Sequence, residues 1–319
     1  MKYHVWTEGC QMNVADSRRL SSALQKLGLK PSPTAEAADV IVLNTCVVRQ
    51  SAEDKAIGRL SSLRPLKEKN PDLIINLMGC LVGVQGNPAM QQRFPWVDVF
   101  SAPSDPNPLL AYLNTRLEKV NSQEWRQKMD AILDEEFTLP PVEHSANVSE
   151  NLPIVLGCSH ACSYCVIPHK RGRERSRAFE QILLEAQGLV DRGAREIVLL
   201  GQIVDRYGLD IPGSPLLEDL LKSLSQIEAL KRIRFLTSHP NWMSDALIQS
   251  VADLSKVMPH IEVPIQAGDD EILSAMRRGY SAENYRKLVQ KLRATIPGVS
   301  IATDIIVGFP GESEAAFMN

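Results

Sequence analysis

The sequence has no long hydrophobic run and no large excess of charge of either sign. None of its apolar stretches approaches the ~18 residues of a membrane span, and the N-terminal residues MKYHVWTEGC lack the apolar segment of a signal peptide. The net charge of -3 provides no overall attraction to nucleic acid, so any such contact needs a local basic patch. These absences predict a cytoplasmic protein without membrane contacts.

Cysteine is scarce as well. Six cysteines in 319 residues are too few for a disulfide scaffold, and a reducing compartment disfavours disulfides in any case. Hydrophobic content of 44% with 23% charged residues is ordinary for a globular protein, and the length allows two domains. The cysteines therefore need another explanation, which depends on where they lie in the chain.

The first third of the chain repeats one strand-and-helix arrangement three times. Each repeat begins with an apolar run typical of a buried strand, and a cysteine follows the end of each run. Residues 2–6 lead to Cys10, ADVIVLNTC ends at Cys46, and PDLIINLMGC ends at Cys80. Strands that alternate with helices predict an α/β fold with a parallel sheet and right-handed crossovers.

Helices are predicted between these strands. Asp16 is of a type that favours helix N-caps, so the first helix is predicted to start there and to end at Gly28. The second is predicted over residues 50–69, interrupted at Pro65.

The three strand-end cysteines are predicted to meet. The carboxyl ends of parallel strands lie at one edge of the sheet, where open α/β folds bind ligands. Cys10, Cys46 and Cys80 would then form three legs of one metal or cluster site. The alternative is that each is a small buried hydrophobic residue.

A change in composition separates this region from a second domain. A helix is predicted over residues 109–133, and FTLPPVEHSANVSEN is rich in proline and polar residues with little periodicity. We predict an N-terminal domain over residues 1–125, a linker over 126–150 and a second domain over 151–319.

The second domain opens on a tight cysteine triplet. Cys158, Cys162 and Cys165 have the spacing C-x3-C-x2-C in a short loop, which can place three thiolates on one face of a four-iron, four-sulfur cluster. The fourth iron would stay open to a small chelating molecule. Three alternatives remain: a zinc site completed by His160 or His169, a disulfide pair, and buried inert thiols.

The rest of this domain predicts a partial barrel of strand–helix units. The predicted strands are EIVLLG, RIRFLTS, HIEVPIQ and VSIATDIIVGF, and the predicted helices span Phe179–Arg192, Leu216–Ile227, Ser244–Leu254 and Ala282–Ala294. Functional residues of such barrels gather at the carboxyl ends of the strands.

Several motifs together resemble the methylthiotransferase family of radical S-adenosylmethionine enzymes. They are GCQMNVADS, LNTCVVR, the GC at 79–80, YCVIPHKRGRERSR, LLGQIV, TSHP, VPIQAGDDEIL and DIIVGFPGE, and GCQMN is most similar to the branch that acts on tRNA. The resemblance extends from Gly9 to Glu312. It implies that the partial barrel is a radical S-adenosylmethionine domain.

The family implies two [4Fe–4S] clusters and S-adenosylmethionine. One cluster would be held by the triplet and would support cleavage of S-adenosylmethionine to a 5′-deoxyadenosyl radical, with an external electron donor such as flavodoxin or ferredoxin. The other, on the three strand-end cysteines, would carry the sulfur. The substrate implied is the isopentenyl-bearing adenosine next to the anticodon of tRNA, which would be methylthiolated at C2. Threonylcarbamoyladenosine in tRNA, or an aspartate of a ribosomal protein, is the alternative within the family.

The resemblance also implies contacts to S-adenosylmethionine. They would come from Tyr164, Ser238, Gln266 and the backbone from Val307 to Phe309. A hydrogen bond at a strand end is the other explanation for Ser238 and Gln266.

The chain departs from the family pattern at a few positions. Ser159 replaces the usual Asn after the first cysteine of the triplet, Ala178 replaces a proline, and Ile203 replaces an Asn. The chain stops at Asn319, before the last part of the barrel and the C-terminal RNA-binding module, so we expect a fragment.

A basic run, HKRGRERSR at residues 169–177, follows the triplet. It carries five Lys or Arg residues, and we predict that it either contacts RNA phosphates, with one arginine on the cofactor carboxylate as the alternative, or forms a solvated charged loop. A distant alternative for the whole chain is a non-catalytic, metal-containing RNA-binding module.

Overall fold

The computed structural model describes residues 1–117 and 147–319, in two compact units. Unit 1 contains the described residues up to 117 together with His169–Gly172, and unit 2 contains residues 147–168 and 173–319. Most of the predicted linker and the later part of the helix predicted over 109–133 lie outside the described residues. The predicted domain boundaries therefore stay a prediction.

Unit 1 is built on a parallel sheet of five strands. They are β1 (Lys2–Thr7), β2 (Lys30–Pro31), β3 (Val40–Thr45), β4 (Ile74–Gly79) and β5 (Val99–Ser101), in the order β2-β1-β3-β4-β5. The predicted strands β1, β3 and β4 are confirmed, whereas the short outer strands β2 and β5 were not predicted. Every residue of β3 and β4 is buried, because helices cover both faces of the sheet and form a separate core on each.

Five helices are described in the N-terminal part of this unit. They are α1 (Gln11–Lys26), α2 (Gln50–Ser62), α3 (Arg64–Lys69), α4 (Pro88–Arg93) and α5 (Asn107–Leu117). The predicted interruption near Pro65 is confirmed, since α2 ends at Ser62 and Pro65 lies in the first turn of α3.

The predicted start of the first helix is wrong. Helix α1 begins at Gln11, and its N-cap is Cys10, which makes no side-chain capping hydrogen bond. Asp16 lies inside the helix and is buried. Its carboxylate accepts a hydrogen bond from the hydroxyl of Ser104 at 2.7 Å and pairs with Arg171, so tertiary partners rather than a helix end determine its position.

Unit 2 contains the predicted strand–helix units. Its strands are β6 (Ser149–Pro153), β7 (Val155–Leu156), β8 (Arg175–Ser176), β9 (Glu196–Leu200), β10 (Arg232–Leu236), β11 (His260–Glu262) and β12 (Ser300–Ala302). Strands β6, β9 and β10 form one parallel sheet, β11 pairs with β12 in parallel, and β7 pairs with β8 in an antiparallel ladder. The amide of Ser238 donates to the carbonyl of Glu262 at 2.9 Å, which connects β10 to β11. The parallel strands thus follow one another in the order β6-β9-β10-β11-β12, as expected for part of a barrel.

Seven α-helices are described in residues 147–319. They are α6 (Ile167–Arg171), α7 (Phe179–Asp191), α8 (Leu217–Ser225), α9 (Asp245–Asp253), α10 (Asp270–Ala275), α11 (Ala282–Thr295) and α12 (Glu314–Met318), of which the last residues of α6 group with unit 1. The four predicted helices correspond to α7, α8, α9 and α11, within a few residues at each end. In the described ranges, no helix has the length and apolar character needed to cross a membrane.

Candidate functional site

The three strand-end cysteines of unit 1 lie at one edge of its sheet. Cys10 follows β1 after a short turn, and Cys46 and Cys80 come directly after β3 and β4. Cys46 and Cys80 are buried, while Cys10 is exposed. Desolvation raises the pKa of the Cys80 thiol, and the charges of Cys46 and Cys10 raise it further. The structure therefore brings the three thiols together, and their role as cluster ligands remains a prediction.

Two glycines allow the backbone to close around this edge. Both have positive φ, +125° at Gly9 and +99° at Gly79. A Cβ at Gly9 would come within 2.7 Å of the Cβ of Cys46, and one at Gly79 within 2.5 Å of the carbonyl oxygen of Thr45. Each glycine precedes a cysteine, so a side chain at either position would displace the thiols.

A buried arginine lies beside these thiols. Arg171 donates to the Oδ1 of Asn13 at 2.5 Å and to the hydroxyl of Ser104 at 3.3 Å, and its Nη1 lies 3.4 Å from the Oδ2 of Asp16. Its positive charge lowers the pKa of Cys80, against the effect of burial. The thiol edge thus carries one cation and one carboxylate in addition to the three cysteines.

The predicted explanation of the basic run is wrong for two of its arginines. Arg171 is buried as described above, and Arg177 is buried with its Nη2 at 2.5 Å from the Oε2 of Glu185. Both side chains are bound inside the protein and cannot reach RNA phosphates. Arg173 and Arg175 are exposed, so the predicted phosphate contact rests on these residues and on the half-buried Lys170.

The triplet of unit 2 lies in the loop that follows β7. Cys158 is buried, and Cys162 and Cys165 are half-buried. Desolvation raises the pKa of Cys158 to about 11, and the charges of Cys165 and Cys162 raise it as well. Desolvation also raises the pKa of Cys165, and the charge of Cys162 adds to that effect. The three thiols are thus close enough to affect one another's pKa, and they lie in a partly buried loop. Such thiols stay protonated until a metal binds and then act as thiolate ligands.

The zinc site stays an alternative prediction. In residues 1–117 and 147–319, no three His, Cys, Asp or Glu side chains are placed to hold one metal ion, and this holds for both cysteine triads. Of the two histidines considered as a fourth ligand, His169 groups with unit 1. The ring of His160 packs edge-on against His239 and Trp242, with centroids 4.7 Å and 5.4 Å away.

The residues predicted to contact S-adenosylmethionine lie at strand ends or just beyond them. Ser238 follows β10 and is buried, and Gln266 lies beyond β11 with φ of +72°. Phe309 packs against a small apolar cluster around α10, whereas Val307 is exposed. Tyr164 is about one third exposed at 36%, and burial of the rest of the ring raises its pKa.

Unpartnered polar atoms support a ligand at this end of the strands. The Oγ of Ser238 and the Nε2 atoms of His160 and His239 are buried, and no atom of the described residues hydrogen-bonds to them. Such atoms are costly unless a ligand or water satisfies them. Together with six free cysteines in two groups, they fit the cofactors that the sequence implies.

His239 and its neighbours were not predicted from the sequence as individual site residues, although the motif TSHP contains His239. Desolvation lowers the pKa of His239 to about 2, so its ring stays neutral at physiological pH. Its Nδ1 accepts from the amide of Asn241 at 3.2 Å, which leaves Nε2 as the protonated nitrogen. The backbone amide of His239 donates to the carboxylate of Asp205 at 3.0 Å.

Comparison with known proteins identifies the family. Residues 2–102 match the family described as "Uncharacterized protein family UPF0004", and residues 152–319 match the Radical SAM superfamily. A relative from Roseiflexus sp. (strain RS-1) is 48% identical over 316 residues, which are 99% of this chain and 64% of the relative. A relative from Herpetosiphon aurantiacus is also 48% identical, with 99% of this chain and 69% of the relative covered. Both are named tRNA-2-methylthio-N(6)-dimethylallyladenosine synthase.

The chain belongs to the Radical SAM superfamily and, within it, to the family of these two relatives. Membership implies a [4Fe–4S] cluster and S-adenosylmethionine and confirms the resemblance that the sequence motifs indicated. The chain spans about two thirds of the length of these relatives, 64% and 69%.

Solved structures confirm the fold. The radical S-adenosylmethionine methyltransferase TsrM from Kitasatospora setae superposes with a TM-score of 0.65 at 13% identity, with 99% of this chain and 71% of that chain covered. The cobalamin-dependent radical enzyme OxsB gives a TM-score of 0.63 at 13% identity and covers 96% of this chain and 49% of its own. Both support a parallel-sheet unit followed by a radical SAM unit.

Proposed function

We propose that the chain is the catalytic part of a methylthiotransferase that adds a methylthio group to C2 of N6-isopentenyladenosine next to the anticodon of tRNA. The observation that carries this proposal is the presence of two cysteine triads, one in each unit, in a chain 48% identical to the synthase from Roseiflexus. A single triad would suffice for cleavage of S-adenosylmethionine alone. A second triad supports a second cluster, as a sulfur carrier requires.

The two triads have different roles in this proposal. Cys158, Cys162 and Cys165 would hold the cluster of the radical SAM unit, and Cys10, Cys46 and Cys80 would hold a separate one. When bound, the first cluster and S-adenosylmethionine supply the one-electron cleavage that activates the substrate carbon.

The part proposed for the protein is to bind and orient S-adenosylmethionine and to limit the access of water to it. The buried hydroxyl of Ser238, Gln266 and the backbone from Val307 to Phe309 would fix S-adenosylmethionine at the strand ends, with Tyr164 beside it. Cys158 and the neutral ring of His239 are both buried, which would limit the access of water to these two side chains.

The proposed partners are the anticodon loop of tRNA and a small electron donor such as flavodoxin or ferredoxin. Arg173, Arg175 and Lys170 are the candidates for phosphate contacts, because they are the members of the basic run that reach solvent. A tRNA substrate would place the protein in the cytoplasm, which remains part of the proposal.

The test separates the two triads. The chain is reconstituted anaerobically with iron and sulfide, and we expect about eight irons per chain. The Cys10→Ala variant should hold about four irons and should still convert S-adenosylmethionine to 5′-deoxyadenosine. A relative of full length that carries the same change should lose the methylthio product on tRNA. The matched control is Cys162→Ala, which should lose 5′-deoxyadenosine formation instead.

Three outcomes would contradict the proposal. Methylthio product from the full-length Cys10→Ala variant would make Cys10 an ordinary exposed thiol. Zinc in place of iron and sulfide would favour a non-catalytic RNA-binding module. Product on threonylcarbamoyladenosine or on a ribosomal protein, with none on isopentenyladenosine, would keep the chemistry and change the substrate.

A further inference from the structure

Arg278 is a buried arginine whose guanidinium contacts the triplet. Its Nη1 donates to the Sγ of Cys162 at 3.3 Å, its Nη2 donates to the carbonyl of Pro264 at 3.3 Å, and its Nε donates to the hydroxyl of Tyr280 at 3.0 Å. The Tyr280 hydroxyl itself donates to the carbonyl of Ile265 at 2.7 Å. Three different acceptors therefore fix the orientation of the guanidinium, so that one nitrogen is directed at the sulfur.

The backbone beside Cys162 is bound to the same segment. The amide of Ser163 donates to the carbonyl of Met276 at 3.1 Å, and its hydroxyl donates to the carbonyl of Ala275 at 2.8 Å. Residues 275–278 thus hold the triplet loop through both its backbone and its sulfur. Arg278 and Cys162 cannot move apart unless these contacts also break.

Among the residues that the structure describes, no carboxylate balances the charge of Arg278. Within the described ranges, its polar contacts are a thiol, a carbonyl and a phenol, and no Asp or Glu forms an ion pair with it. A buried cation is costly without an anion beside it. The sulfur of Cys162 becomes such an anion when it is a thiolate ligand.

Arg171 in unit 1 provides a comparison. It is also a buried arginine beside a cysteine triad, but the carboxylate of Asp16 lies 3.4 Å from its Nη1. The charge of Arg171 is therefore largely balanced before any cluster binds, whereas that of Arg278 is not.

We propose that Arg278 is a positioning residue that directs a positive charge at Cys162 and thereby raises the reduction potential of the cluster held by Cys158, Cys162 and Cys165. This rests on the proposed function, since it takes the triplet to be the ligand set. Reduction adds one negative charge to the cluster, and a fixed cation in contact with a ligand sulfur stabilises the reduced state more than the oxidised state. The hydrogen bond to the sulfur acts in the same direction.

The experiment measures the midpoint potential of this cluster alone. Cys10, Cys46 and Cys80 are changed to Ala in the full chain, so that about four irons remain on the triplet. The protein is titrated with dithionite in the absence of S-adenosylmethionine and tRNA, and the reduced cluster is followed by electron paramagnetic resonance. Iron content tests the ligand assignment, and the potential tests the role of Arg278.

Arg278→Gln should lower the equilibrium constant for reduction at least tenfold, a shift of about 59 mV for one electron. Arg278→Lys should give a smaller shift in the same direction, because it keeps the charge and loses the fixed fork. Tyr280→Phe should do likewise, since it frees the guanidinium without removing it. The matched control is Arg277→Gln, which removes the charge of the exposed neighbouring arginine and should leave the potential unchanged.

The outcomes distinguish a wrong ligand assignment for the triplet from a wrong role for Arg278. If the parent chain holds no iron after the three changes, the assignment of the triplet fails. If the parent holds iron and Arg278→Gln has the same potential, the role of Arg278 is refuted. If Arg278→Gln cannot retain iron, the shifts of Arg278→Lys and Tyr280→Phe decide, and unchanged potentials in both would also refute it.

Discussion

Removal of the Asp16 carboxylate should be among the most destabilising changes in unit 1. The side chains of Arg171 and Asp16 are only 3% and 1% exposed, and the pair lies beside the thiol edge. In Asp16→Ala, the buried guanidinium keeps only neutral partners, which are the Oδ1 of Asn13, the hydroxyl of Ser104 and the thiol of Cys80. Loss of one partner from a buried ion pair costs about 3–5 kcal/mol of the free energy of unfolding.

An exposed pair in the same unit is the matched control. Arg64 and Glu68 lie 2.8 Å apart on α3, and their side chains are 60% and 62% exposed. Glu68→Ala should change the free energy of unfolding by at most about 0.5 kcal/mol, because water and salt already screen this pair. The double change Asp16→Leu with Arg171→Met should recover most of the loss, since it leaves no uncompensated buried charge.

The measurement is a urea titration of the full chain followed by circular dichroism, in which the transition of unit 1 is compared between variants at low and high salt. The Asp16→Ala effect should persist at 1 M salt, whereas any Glu68→Ala effect should disappear. A loss of less than about 1 kcal/mol for Asp16→Ala would refute the reasoning, because an uncompensated buried guanidinium costs more than that.

Desolvation raises the pKa of Asp205 from 3.8 to about 7, so the folded state takes up a proton that the unfolded state has lost. This contribution to stability is complete below pH 3.8 and disappears by pH 7, a loss of about 4 kcal/mol that Asp205→Asn should remove in urea titrations between pH 4 and 8. Gly79→Ala should lower the unfolding free energy of unit 1 by more than Gly86→Ala, because both positions have positive φ but only Gly79 would meet backbone atoms, and equal urea midpoints would contradict this. Cys162→Ala should leave about four irons per chain and no 5′-deoxyadenosine in an anaerobic assay, and normal product would exclude Cys162 as a ligand.

The buried strands and their cysteines were predictable because their signals are local. A continuous apolar run such as VIVLNT is typical of a strand covered on both faces, and β3 and β4 are fully buried as that pattern indicates. Parallel strands then place their ends at one edge, so Cys46 and Cys80 could be brought together without any knowledge of side-chain contacts.

The start of α1 could not be predicted in the same way. Asp is a favoured N-cap residue, which made Asp16 the obvious cap, but its partner Arg171 is 155 residues away in the sequence. The true N-cap, Cys10, makes no capping hydrogen bond, so its residue type carries no signal for a helix start. A long-range pair thus overrides a local preference.

The strand predicted over residues 299–309 was too long for a related reason. The ladder of β12 ends at Ala302, and beyond it Ile305 forms only an isolated bridge with Gln266. Gln266 has φ of +72°, a conformation that interrupts an extended strand. Ile305 and Val307 are 64% and 62% exposed, so an apolar pattern does not by itself establish a paired strand.

Arg171 and Arg278 show where the sequence provides no signal at all. Both lie in short basic stretches, HKRGRERSR and MRRGY, whose ordinary interpretation is a solvated surface. Because both side chains are buried, the effect of each charge depends on its partner, which is Asp16 for Arg171 and the sulfur of Cys162 for Arg278. A cation balanced by a carboxylate acts mainly on folding, because its charge is neutralised whether or not a cluster binds. A cation balanced by a ligand sulfur acts on the cluster, since the charge it stabilises is the one that reduction adds. Changes at Arg171 should therefore appear first in urea titrations, and changes at Arg278 in the midpoint potential.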